Sequence, residues 1–118
     1  MTTTSDPGPP GSGELVPAQA FELAGQVSYV AGSVVSRTLA KKPTGTITLF
    51  AFDAGQGLSE HSAPYDAFVQ VVDGAGTLRI GGKEVVATTG EVVVMPANIP
   101  HAVQANVRFK MLLVMIRS

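Results

Sequence analysis

The sequence predicts an all-β fold, a barrel or sandwich of short antiparallel strands. Three observations support this prediction: β-branched residues dominate most of the chain, glycines interrupt them at short intervals, and no helical apolar period lasts beyond about two turns. No internal repeat stands out either. A chain of 118 residues has room for one domain with one core, so we expect a single site.

The chain begins with a segment that has little to bury. Residues 1–13 are mostly Thr, Ser, Pro and Gly, and burial there cannot offset the entropy lost on ordering. We therefore predict a disordered tail over 1–13 and one domain over 14–118. Between Glu14 and Gly25 the apolar residues indicate a short helical turn or an irregular segment that packs against the domain: Leu15, Val16, Phe21 and Leu23.

Strands are predicted where β-branched and aromatic residues run between turn formers. They are Gln26–Val30, Val34–Leu39, Gly45–Phe52, Phe68–Val72, Thr77–Ile80, Lys83–Thr88, Glu91–Met95, His101–Asn106 and Phe109–Ile116. Gly81 and Gly82 predict a two-residue antiparallel hairpin, because both positions accept a positive φ at no steric cost. The last strand is largely apolar on both faces, so one face should line the core and the other should also be covered, in one interpretation by a partner.

Composition excludes several function classes. Eight basic and nine acidic residues give a formal charge of −1 without a basic patch, so we expect neither nucleic acid nor a membrane surface as a partner. Without cysteine there is no disulfide, thiolate metal site or cysteine nucleophile. No leader-like or membrane-spanning apolar run occurs in the sequence, so we expect a cytoplasmic protein.

Two glycine-anchored stretches, Gly55–Gly74 and Gly90–Ala105, resemble the paired signature motifs of the cupin superfamily. His61 in the first and His101 in the second stand where the family has histidines. The second stretch departs from the pattern at Asn98, where glycine is usual, and at Ala105, where asparagine is usual. The resemblance implies a cupin-type antiparallel β-barrel, a jelly roll or double-stranded β-helix, and it suggests a homodimer.

The resemblance also implies a divalent metal held by three histidines and a glutamate, and here half of that set is missing. Ala63 occupies the place of the second histidine and Ala67 that of the glutamate. Two imidazoles alone make a weak metal site, so we expect at most a weakly held divalent Fe, Mn, Zn, Ni or Cu on His61 and His101. Strand parity argues against rescue by Glu60 or Asp66, unless an irregular rim turns Asp66 inward.

The two histidines, delivered to one barrel mouth, predict a pocket for a small molecule. We expect its wall to include Met95 and Met111, which are otherwise core residues, and its rim to include Tyr65. Asp66 is interpreted as a turn residue that caps backbone amides; the alternative is a partner that orients an imidazole. Asn98, Ile99 and Pro100 are predicted to fix the loop that delivers His101.

Three function classes remain open at this point. The first is a ligand-binding or sensing module without chemistry. The second is a cupin enzyme that uses His61 or His101 as a general base in an isomerase, epimerase or cyclase reaction, or as metal ligands in an oxygenase. The third is a structural or interaction role, with the apolar outer strand faces forming a dimer.

Overall fold

The computed structural model describes residues 13–117. The predicted tail, residues 1–13, lies outside this range except for Gly13. A short 3-10 helix at Leu23–Gln26 precedes the sheets. The strands of the described residues are β1 Val34–Lys42, β2 Gly45–Phe52, β3 Gly57–His61, β4 Asp66–Asp73, β5 Ala75–Ile80, β6 Lys83–Thr88, β7 Val92–Met95, β8 His101–Gln104 and β9 Phe109–Ile116.

These strands form two antiparallel sheets, which confirms the predicted all-β jelly-roll barrel. One sheet has five strands in the order β1-β2-β9-β4-β7, and the other has four in the order β3-β8-β5-β6. Their inner faces enclose the main core, where the rings of Phe52 and Phe109 stack with centroids 4.8 Å apart. Both sheets contribute to this core, since Val69 and Met111 meet Leu78 and Val103 there.

The predicted hairpin at Gly81 and Gly82 is confirmed. Ile80 pairs with Lys83 at the end of β5 and the start of β6, and the two glycines between them have φ of 57° and 82°. A positive φ at both central positions is the geometry that matches the twist of the flanking strands.

The segment before β1 covers the outer face of the five-stranded sheet. Val27 is buried there with Leu39, Leu49 and Ala51 in a second apolar cluster, which also contacts Leu112 of the last strand. The outer face of β9 is therefore covered at Leu112 by the protein's own chain. Toward the end of β9, Ile116 remains exposed.

Arg37 attaches this segment to the sheet. Its side chain is buried, and its Nε donates to the carbonyl of Gly13 at 2.6 Å while Nη1 donates to the carbonyl of Gln26 at 3.2 Å.

The predicted strand at Gln26–Val30 is wrong, because residues 27–30 join no sheet. The apolar side chain of Val27 packs on the face of the sheet. The segment is held there by the hydrogen bonds of Arg37 rather than by strand pairing. All other predicted strands overlap an observed one.

One observed strand has no counterpart among the predicted strands, although the parity argument for Glu60 treated the chain at His61 as extended. Residues Gly57–His61 form β3, which pairs with β8 at the edge of the four-stranded sheet. Its short sequence, with Ser59 and Glu60 exposed, lacks the β-branched residues on which the other predictions depended.

In residues 13–117, no helix has the length and apolar character needed to cross a membrane.

Candidate functional site

A cavity of about 330 Å³ lies between the two sheets. Its wall is apolar apart from a few polar side chains, and no carboxylate belongs to it. The lining consists of Phe50, Leu58, Ser59, His61, Ala63, Tyr65, Ala67, Met95, His101, Val103, Met111, Leu113 and Met115. A separate groove of about 400 Å³ on the outer face of the four-stranded sheet includes Glu60, Arg79 and Glu84 but neither histidine.

The two histidines are neighbours across β3 and β8. They occupy directly paired positions, and their rings meet edge to face with centroids 4.5 Å apart and planes at 71°. His101 is buried with 5% of its surface exposed, whereas His61 is exposed at the mouth. The structure thus places both sequence-predicted residues on one cavity wall, one inside it and one at its opening.

A bulge in β3 makes this arrangement possible. Leu58 pairs with Val103 and His61 pairs with His101, so three steps along β3 match two along β8. In a regular strand, residues three apart point to opposite faces, but the extra residue restores the same face. Leu58 and His61 therefore both line the cavity, while Glu60 lines the outer groove.

The hydrogen bonds of the rings assign one tautomer to both histidines. Nδ1 of His61 lies 3.0 Å from the carbonyl oxygen of Ser59, and Nδ1 of His101 lies 3.2 Å from that of Ile99. A carbonyl oxygen can only accept, so Nδ1 donates in each ring. In the neutral imidazole, Nε2 then carries the lone pair and is the available acceptor or ligand.

Burial favours the unprotonated form of His101. It lowers the pKa of the imidazole because the charged form loses its hydration, and the positive charge of His61 lowers the pKa further. The hydrogen bond to Ile99 opposes these effects but does not overcome them. At neutral pH, His101 is therefore a hydrogen-bond acceptor and a potential base within an apolar cavity.

The loop that delivers His101 is attached to the β3–β4 connection at two points. The backbone amide of Ala97 donates to Oδ1 of Asp66 at 2.9 Å, and the amide of Asn98 donates to the carbonyl of Ala63 at 2.7 Å. Asp66 is exposed, and its side chain caps the backbone of this loop; no hydrogen bond joins it to a histidine in residues 13–117.

Asn98 adopts a left-handed backbone conformation with φ of 65°. Glycine adopts this conformation freely, and asparagine is among the few other residues that tolerate it. The departure from the cupin pattern at this position, asparagine in place of glycine, therefore preserves the backbone geometry that the loop before His101 needs.

The residues of this chain do not fit the four-ligand divalent metal site that the cupin resemblance implies. Ala63 and Ala67 both line the cavity, and a methyl group offers no lone pair to a metal. Within residues 13–117, no group of three or more His, Cys, Asp or Glu side chains is placed to hold a metal ion. His61 and His101 are thus the remaining members of that set.

The structure also places the predicted pocket residues Tyr65, Met95 and Met111 in the lining. Tyr65 lies under the guanidinium of Arg117, whose Cζ is 5.4 Å from the ring centroid. Met115 also lines the cavity, and it shares with Met111 the inward face of the alternating pattern in β9. That alternation was visible in the sequence, but Met115 was not among the residues predicted to line the pocket.

Comparison with known proteins places these features in a family. The family model described as a cupin domain, of the cupin 2 type, matches residues 48–116, which contain both histidines and all of the residues that line the cavity. No curated protein matches the sequence at a significant level.

Solved structures support the same assignment. A conserved protein of unknown function from Streptococcus pyogenes is 34% identical over 90% of this chain and 93% of its own, with a TM-score of 0.85. A cupin 2 conserved barrel domain protein from Leptotrichia buccalis is 44% identical over 82% of this chain and 47% of its own, with a TM-score of 0.80. The salicylate 1,2-dioxygenase of Pseudoaminobacter salicylatoxidans, 21% identical over 79% of this chain and 27% of its own with a TM-score of 0.67, shares the fold. The chain belongs to the cupin family.

Proposed function

We propose that this protein binds a small organic molecule between its two sheets. The apolar body of the ligand packs against the cavity wall, and a polar end donates a hydrogen bond to Nε2 of His101. One observation carries the proposal: two adjacent imidazoles, each with Nδ1 bound to a backbone carbonyl, leave their Nε2 atoms as acceptors in an otherwise apolar cavity.

The cavity narrows the class of ligand. Its volume of about 330 Å³ lies near the lower end of the range for small-molecule pockets, about 300–1,000 Å³. A neutral acceptor such as His101 favours a phenol or an enol, whose hydroxyl donates a hydrogen bond, over a carboxylate, which at neutral pH only accepts. No carboxylate lines the wall, and Arg117 lies against Tyr65 at the rim, so a negative charge near the mouth meets a cation rather than an acid.

A thermal-shift screen of small phenols and carboxylic acids, followed by calorimetric titration of the hits, tests the proposal. A ligand at 100 times its dissociation constant stabilises the folded state by about 2.7 kcal/mol, which is easily measured. We expect this stabilisation to be lost in His101→Phe, which keeps an aromatic ring in the cavity wall but offers no hydrogen-bond acceptor. Arg79→Gln, in the outer groove, is the matched control and should bind as the wild type does.

Equal binding by the wild type and His101→Phe would show that the imidazole is not the acceptor. Loss of binding in Arg79→Gln, with binding retained in His101→Phe, would instead locate the ligand in the outer groove.

One observation favours a second candidate, an enzyme without a metal. The lowered pKa of His101 leaves an unprotonated imidazole inside the cavity, which is the state that a general base requires. The reaction class is removal of a proton from a carbon next to a carbonyl, as in an isomerase, epimerase or cyclase. Each hit from the screen is incubated with the protein in D₂O and followed by proton NMR. Exchange of a C–H that requires His101 supports this candidate, and its absence for every hit argues for binding alone.

A further inference from the structure

The inward row of β9 ends in a cation at the mouth of the cavity. Met111, Leu113 and Met115 line the cavity, and alternate residues of a strand share a face, so Arg117 stands next in the same row. The backbone amide of Arg117 donates to the carbonyl of Thr44 at 2.8 Å, which continues the pairing of β9 with β2. The sheet itself therefore holds Arg117 on the inner face.

The guanidinium of Arg117 lies against a ring that lines the cavity. Its Cζ is 5.4 Å from the ring centroid of Tyr65. A guanidinium over an aromatic face is attracted by the ring, and the N–H groups at its edge remain available to an anion. Within residues 13–117 the one ion pair joins Arg108 to Asp53, so no carboxylate of these residues neutralises Arg117.

A second cation shares this face of the sheet. Lys41 pairs with Thr46, and Thr46 pairs with Met115. Directly paired residues of antiparallel strands project from the same face, so Lys41 lies on the inner side, two strand spacings or about 10 Å from Met115. Lys41 is exposed, and its charge adds to that of Arg117 in the field at the mouth.

The acids close to the mouth in sequence face away from it. Asp66 pairs with Ile116, so its side chain leaves the face opposite to that of Arg117, and its Oδ1 accepts the amide of Ala97. Glu60 lines the outer groove. No carboxylate lines the cavity. An apolar cavity thus opens toward a rim of positive charge.

We propose that Arg117 selects an anionic ligand, a hydroxyaryl or enol carboxylate whose hydroxyl and carboxylate lie at opposite ends. This inference rests on the proposed function, which supplies the hydroxyl end at Nε2 of His101, and adds a charged end at the mouth. The fork of N–H donors in Arg117 matches the two oxygens of a carboxylate. Arg117 is half-buried, so the carboxylate stays partly hydrated while the apolar body of the ligand enters the cavity.

The test is a calorimetric titration with two matched pairs of probes. They are para-hydroxyphenylacetate with para-hydroxyphenylacetamide, and para-hydroxyphenylpropanoate with its amide. The members of a pair share the ring, the hydroxyl and the size and differ in charge. We expect the acid to bind about tenfold more tightly than the amide in at least one pair, because a charge-assisted pair replaces a neutral contact.

Variants assign this preference to one residue. In Arg117→Gln the affinity for the acid should fall to that for the amide, and the affinity for the amide should stay as in the wild type. Arg117→Lys keeps the charge without the fork and should recover part of the preference. Arg79→Gln removes the same charge from the outer groove and is the matched control, with the full preference expected. Circular dichroism checks that each variant is folded.

Salt gives an independent readout of the charged end. Raising the salt concentration from about 0.05 M to about 0.5 M should weaken binding of the acid and leave binding of the amide unchanged, because only the charged pair is screened. Lys41→Gln should reduce the preference for the acid less than Arg117→Gln does, since Coulomb attraction falls with distance.

The outcomes separate this inference from the proposed function. Equal binding of acid and amide by the wild type, or an unchanged preference in Arg117→Gln, overturns the charged end and leaves the hydroxyl end standing. A preference that requires Arg117 but persists in His101→Phe supports the charged end and overturns the hydroxyl end. If none of the four probes binds, the ligand class is wrong, and the thermal-shift screen decides the proposed function.

Discussion

The imidazole rings of His61 and His101 lie 4.5 Å apart, with His61 exposed and His101 buried. Because both are bases, a proton on His61 makes a proton on His101 more costly. The two rings therefore differ in their surroundings: burial favours the neutral form of His101, whereas His61 lies at the surface.

The first prediction concerns the titration of His101. Its pKa in the folded protein should lie below the ordinary value of 6.5, as followed by NMR of the imidazole carbons. In His61→Gln the pKa should rise, because the charge of His61 is removed, but it should remain below 6.5, because burial is the larger cause. A His101 that titrates at or above 6.5 in the wild type would contradict the buried, neutral ring.

The same lowered pKa makes stability depend on pH. The unfolded chain takes up the proton on His101 at higher pH than the folded protein does, so the free energy of unfolding rises with pH in this range. This contribution is fully present above about pH 6.5 and is lost as the pH falls from there toward the folded pKa. Urea unfolding from pH 7.5 to pH 5 should show a smaller decrease for His101→Gln than for the wild type.

The second prediction concerns Asp66. Asp66→Ala removes the acceptor for the amide of Ala97, so the free energy of unfolding should fall by about 1 kcal/mol. Asp66→Asn keeps an oxygen acceptor and should recover most of the loss. If Asp66 acted instead through its charge on a histidine, Asp66→Asn would resemble Asp66→Ala, and the NMR titration of His101 would shift in both variants.

The third prediction concerns the left-handed backbone at Asn98. Asn98→Gly should leave the free energy of unfolding within about 0.5 kcal/mol of wild type, because glycine accepts a φ of 65° without strain. Asn98→Val should lower it by about 1–2 kcal/mol, because a β-branched side chain is strained in this conformation. Equal stability of the two variants, measured by urea unfolding, would argue against the left-handed turn before His101.

The fourth prediction concerns the close approach of Gly76 to Phe109. A Cβ atom at Gly76 would overlap Cε2 and lie 2.6 Å from Cζ of the buried ring, which stacks on Phe52. Gly76→Ala should therefore lower the free energy of unfolding by about 2 kcal/mol or more, with a loss of near-ultraviolet circular dichroism. Gly25→Ala is the control, because its Cβ meets only the flexible end of Glu22 at 3.1 Å.

The features that the sequence predicted correctly are those that local chemistry decides. The hairpin at Gly81 and Gly82 depends on two adjacent φ angles, and the inward row of β9 depends on strict alternation along one strand. The absence of two of the family's metal ligands is likewise seen directly in the sequence, which has alanine at positions 63 and 67. The homodimer and the cytoplasmic localisation stay predictions.

The features that only the tertiary structure decided depend on residues distant in sequence. A bulge turns Leu58 and His61 toward the same wall of the cavity. This bulge is defined by the pairing of β3 with β8, and the sequence of β3 alone does not predict it. Val27 has the same apolar character in a strand as in a segment packed on a sheet, and the buried hydrogen bonds of Arg37 select the second. The sequence by itself thus determined most of the strands, the alternation within them and the missing ligands, because these are local preferences. Tertiary structure decided which side chains share the cavity, because long-range pairing sets the register and the face.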